Sequence, residues 1–140
     1  MTRTLLVLHR AAGASYVVGL SPNCEPSQRT KVFQNLLVFV LETAAPGDSI
    51  TVCDALNQKL VTSFTIPEGS LFQANAKARA QRLTAPMAAL KQFLMTDRSY
   101  PPVMANVIAL PQFLDFAATQ LRRPGEPLRV VVLASPLYID

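Results

Sequence analysis

The chain has 140 residues, half of them hydrophobic and 16% charged, with a formal net charge of +4. That length suits one domain with one sizeable core, and the apolar fraction excludes an intrinsically disordered chain. The longest purely apolar run, residues 36–41, falls far short of the roughly 20 residues that a bilayer crossing requires, so no membrane insertion is expected.

In chain order, Leu5 to Leu8 is the first short apolar run. His9-Arg10 cuts it off where the hydrophobic region of a signal peptide would continue, so it reads as a buried strand. Tyr16 to Leu20 is a second strand, and the small residues Ala11 to Ala14 between the two allow a hairpin. The loop Ser21-Pro22-Asn23-Cys24-Glu25-Pro26 follows, then a helix to about Thr43, with proline near its first turn where a missing N–H costs nothing. Its second half is apolar nearly all round, from Val32 to Leu41, which predicts burial on most sides. Pro46-Gly47-Asp48 ends it. Ile50 to Cys53 and Leu60 to Ile66 read as strands, and the short link between them requires an antiparallel pair. Residues 70–95 are helical in pattern, divided at Pro86, with Thr84 as the cap of the second helix. A helix over 111–121 carries Leu110, Phe113, Leu114, Ala117 and Leu121 on one face, with Arg122 and Arg123 at its negative end. The apolar run Leu128 to Ala134 has the character of a central parallel strand.

Strands alternating with helices predict an α/β fold: a Rossmann-like three-layer sandwich, mostly parallel, with one antiparallel edge strand. The stretch Tyr16 to Glu25, the long apolar helix, and then Pro46-Gly47-Asp48-Ser49-Ile50-Thr51-Val52 together resemble the opening of a von Willebrand factor A-type domain. The likeness extends in pattern over residues 16–140. That family places a metal-ion-dependent adhesion site after its first strand, with the motif Asp-x-Ser-x-Ser, completed by a later threonine and by an aspartate after the fourth strand. Here the motif positions read Ser21-x-Asn23-x-Glu25, the region of Thr84 is the candidate for the threonine, and Ser135-Pro136 stands where the aspartate is expected. The resemblance therefore implies the scaffold with a degenerate metal site, since Mg²⁺ wants several oxygen ligands with at least one carboxylate. Such domains continue past the fourth strand, so a shortened variant or a fragment of a longer protein is implied.

Enzymatic readings find little support. Cys24 precedes a helix start, where a thiolate would be stabilised, and with His9, the only histidine, it suggests a Cys–His hydrolase; yet no signature surrounds it. Cys53 reads as a small core residue. Ser21 and Ser135 lack a nucleophile elbow, and the five glycines form no phosphate loop. Asp48, Asp54, Glu42 and Glu68 fall at turns and helix ends. No catalytic set, cofactor or bound metal is expected.

The expected function is a non-catalytic protein–protein interaction module within a multi-subunit assembly. In open α/β sheets ligands bind beyond the carboxyl ends of the strands, which assigns Ser21, Asn23, Glu25, Asp54 and Ser135 to the partner-binding edge. The alternative is a nucleic-acid-associated accessory using Lys77, Arg79, Arg82, Lys91 and Arg98. The basic residues are scattered rather than striped, which favours the first reading. Two cysteines are too few for a disulfide framework, so an intracellular location, cytoplasmic or nuclear, is expected.

Overall fold

A computed structural model describes residues 13–67, 77 and 81–133. The expected strand at Leu5–Leu8 lies outside these, as do His9, Arg79 and Ser135. Four strands form one sheet: β1 (Ser15–Leu20), β2 (Ser49–Asp54), β3 (Lys59–Thr65) and β4 (Leu128–Leu133), in the order β3-β2-β1-β4. β1 pairs in parallel with β2 and with β4 over all six of its residues, and β3 runs antiparallel to β2. The fold is thus mixed α/β with a mostly parallel sheet, as the alternation of elements requires. Both edges of β1 are occupied by these neighbours. The hairpin expected between residues 5–8 and β1 lies outside the described residues.

Helices cover both faces. On one, α1 (Arg29–Val38, entered through a 3₁₀ turn at Pro26–Gln28) and α2 (Thr84–Met95) pack over Val18, Leu20, Ile50 and Val52. On the other, α3 (Leu110–Phe116) lays Phe113 and Ala117 over Val17 and Cys53. Alternate β1 residues thus point into different cores, as the period of two demands. Gly19 has no side chain because the Phe113 ring fills its place: a Cβ there would lie 2.5 Å from a ring carbon.

Both α1 and α3 widen into a single π turn, at Phe39–Thr43 and Ala117–Leu121. The α1 turn closes with Ala44 N–H donating to Phe39 O at 2.8 Å. The Pro46-Gly47-Asp48 stop then behaves as its sequence predicts, with Gly47 at φ 87°. Asp48 adds what the sequence does not reveal. It is buried, and its carboxylate accepts N–H groups from Ala14 and Ala45, both at 2.9 Å, tying the start of β1 to the end of α1.

Three expectations change. α1 buries only Leu36, and Val40 just beyond it; Val38 is 51% exposed. The helix has one buried stripe, so apolar composition overstated its burial. Thr84 is the first residue of α2, and Leu83 holds the cap position. The break falls at Leu83, and Pro86 lies in the first turn of α2 rather than between two helices; most of the expected upstream helix lies outside the described residues. β4 is parallel as expected, but it ends the strand order among the described residues, with Val130 36% exposed.

Candidate functional site at the carboxyl end of the sheet

β1 is followed by a helix leading to β2 on one side, whereas β4 lies on its other side. Such a reversal of strand order opens a crevice at the carboxyl ends of the strands. The loop Ser21–Glu25 occupies that position. Its conformation is fixed by distant residues. Pro22 O accepts from Arg98 Nη1 at 2.9 Å, Asn23 O from Asn106 N–H at 2.9 Å, and Cys24 O from Arg29 Nε at 3.0 Å. Glu25 O accepts from Gln28 N–H at 2.8 Å. Four consecutive carbonyls therefore have donors, three of them from residues beyond the loop's own turn. Asn106 clamps twice, since its Oδ1 also accepts Glu25 N–H at 2.9 Å. Asn106 itself sits at φ 61°, the left-handed region that asparagine tolerates better than most residues.

Within this frame the candidate residues separate. Ser21 is buried and its Oγ accepts Asn23 N–H at 3.2 Å. Asp54 is also buried. Its Oδ1 accepts Leu56 and Asn57 N–H groups at 2.9 and 3.0 Å, and its Oδ2 accepts Asn57 Nδ2 at 2.9 Å. Both side chains thus hold the backbone of this edge, and Asp54 also borders the cleft described below. Asn23 is half-buried and Glu25 is exposed. Ser135 is outside the described residues.

The metal reading can be tested on the same atoms. Ser21 Oγ is already an acceptor in the loop, and Glu25 is the only carboxylate among the three motif positions. Among the described residues no three His, Cys, Asp or Glu side chains gather as a metal would need. This donor set does not fit a hard divalent ion.

Cys24 reverses its expectation. The side chain is buried, and burial pushes its thiol above the ordinary value, more than Arg29 lowers it; Glu25 adds to the rise. The helix it precedes begins as one short 3₁₀ turn. Burial therefore outweighs the favourable charge of Arg29 on the thiolate. Cys53 is fully buried, and burial with the neighbouring Asp54 charge lifts its thiol to about 11.

The basic set also separates. Lys77, Arg82 and Lys91 are exposed. Arg98 is half-buried, with its guanidinium 4.5 Å over the Phe93 ring and its Nη1 on Pro22, Phe93 and Thr96 carbonyls. These bonds tie the end of α2 to the Ser21–Glu25 loop, which sets Arg98 apart from the three exposed residues.

Beside the loop lies a cleft of about 630 Å³ between β3, the second half of α2 and residues 96–100. Lys59, Arg98 and Tyr100 line it with Asp54 and Asn57. Asn106 and Tyr100 escape sequence reasoning, because their contacts to Glu25 and Asn57 span 81 and 43 residues. No protein-family model, curated protein or solved structure matches this chain. No helix among the described residues is long and apolar enough to cross a membrane.

Proposed function

We propose that this chain is a non-catalytic protein-binding domain on a von Willebrand A-like scaffold lacking the metal site, acting within a larger assembly. One observation carries the reading: every carbonyl from Pro22 to Glu25 has a hydrogen-bond donor, while Glu25 stays exposed at the carboxyl end of the sheet. A loop held so firmly loses little conformational entropy on binding, which is how preorganised surfaces gain affinity. The scaffold likeness adds an analogy of position. Asn23 and Glu25 are the contact residues, and Ser21 and Asp54 hold the backbone that presents them.

The test is affinity purification of the tagged chain from the cells that produce it. A specific protein should co-purify, and the double substitution Asn23→Ala with Glu25→Ala should remove it while the fold, followed by circular dichroism, is retained. Unchanged recovery of that protein would rule out this loop as the contact surface.

A further inference from the structure

The cleft between β3 and α2 is chemically unlike the loop surface, and it supports an inference beyond protein binding. Its volume of about 630 Å³ falls in the range of small-molecule pockets, roughly 300–1,000 Å³. Two cationic side chains, Lys59 and Arg98, line it. Lys59 is exposed and has no carboxylate partner among the described residues, where the one ion pair is Arg29 with Asp97. Arg98 is held in one orientation by Phe93 beneath its guanidinium and by three carbonyls, all on Nη1. Its Nε and Nη2 have no acceptor among the described residues. A guanidinium with a fixed plane and unused N–H groups is a preorganised receptor for a planar oxyanion.

Tyr100 supplies a third donor. Its hydroxyl oxygen accepts Asn57 Nδ2 at 3.2 Å, so its own proton is free for a ligand. The lining includes one carboxylate, Asp54, but its oxygens already take three N–H groups and it is only 7% exposed. The carbonyls at the end of α2, which would repel an anion, are partly satisfied by Arg98 itself. Apolar walls at Leu60, Val61 and Ala89 leave room for a carbon skeleton rather than a bare ion.

We infer that this cleft binds a small organic anion, a carboxylate or a phosphate monoester, gripped by Arg98, Lys59 and Tyr100 with its apolar body against β3 and α2. The site is independent of any protein partner, and a failure here leaves the loop surface untouched.

The experiment is a nitrogen–proton NMR titration of the full chain at constant ionic strength. Benzoate and phenyl phosphate serve as the anionic probes, with benzyl alcohol as the neutral one. Either anion should give saturable shifts centred on the Arg98 side-chain N–H and the Lys59 and Gln92 amides, with Kd on the order of 1 mM. Which anion binds more tightly distinguishes carboxylate from phosphate. Lys59→Gln should weaken binding roughly tenfold and Tyr100→Phe by several-fold. Lys59→Gln breaks no hydrogen bond or ion pair among the described residues, and Tyr100→Phe loses only the exposed bond from Asn57, so folding is retained. Non-saturable shifts with both anions, unchanged affinity in Lys59→Gln, or equal binding of benzyl alcohol would each overturn the assignment.

Discussion

Asn106 gives the sharpest test of the loop architecture. Its side chain accepts Glu25 N–H at 2.9 Å, and its own N–H reaches Asn23 O at 2.9 Å from a backbone held at φ 61°. Asn106→Ala removes the first bond, worth about 1 kcal/mol for a partly exposed pair. It also replaces asparagine, whose side chain eases the left-handed region, by alanine, which has no such help, at up to about 1 kcal/mol more. The expected loss is therefore up to about 2 kcal/mol. Asn106→Gly separates the two, because glycine adopts that backbone freely and loses only the side-chain bond, for about 1 kcal/mol. Asn106→Asp keeps an acceptor and should cost least. Urea denaturation of the three variants gives the ranking, and hydrogen exchange at the Glu25 amide should accelerate in Ala and Gly but not in Asp. Equal losses in Ala and Gly, with unchanged exchange at Glu25, would refute the double clamp.

Gly19→Ala should destabilise by about 1–3 kcal/mol, because the new Cβ meets the fully buried Phe113 ring at 2.5 and 2.8 Å. That penalty should shrink in a Phe113→Leu background, and an additive double mutant would contradict the contact. Cys53 ties stability to alkaline pH. Its thiol is raised from 9.0 to about 11 in the folded chain by burial and then by Asp54, so between those values the unfolded chain releases a proton that the folded chain keeps. Stability is then full below about pH 9 and falls by about 1.4 kcal/mol per unit as pH rises toward 11. In a Cys24→Ala background, adding Cys53→Ala should flatten that slope, and an unaltered slope would exclude the effect. For the Arg29–Asp97 pair, the aspartate is 87% exposed and the arginine 11%. Asp97→Ala should therefore cost under about 0.5 kcal/mol, and Arg29→Met more, because it also frees Cys24 O. A larger loss from Asp97→Ala would reverse that ranking.

Much of the fold is legible in the sequence because its signals are local. The apolar runs of β1, β2 and β4, the short link forcing β3 antiparallel, and the Pro-Gly-Asp stop each act within a few residues. Layer position is less legible. The runs Val32–Leu41 and Leu128–Ala134 are apolar enough for central elements, yet Val38 and Val130 face outward. Composition reports how much a segment can bury, and neighbours decide how much it does.

The site was legible in place but not in construction. Ser21–Glu25 was identifiable as the loop after the first strand, and Asp54 as a strand-end carboxylate. Nothing local announces that Arg29, Arg98 and Asn106 converge on three successive carbonyls of that loop. Cys24 shows the same limit: proximity to a helix start suggested an activated thiol, but burial governs its protonation.

The central claim is that the exposed face of this loop meets another protein. A photoreactive benzoyl-phenylalanine placed at Glu25, with a control at exposed Arg123 near the opposite end of the sheet, tests it most directly. Irradiation in the producing cells should give one discrete protein adduct from position 25 and none from position 123. No adduct from position 25, or the same adducts from both positions, would contradict it.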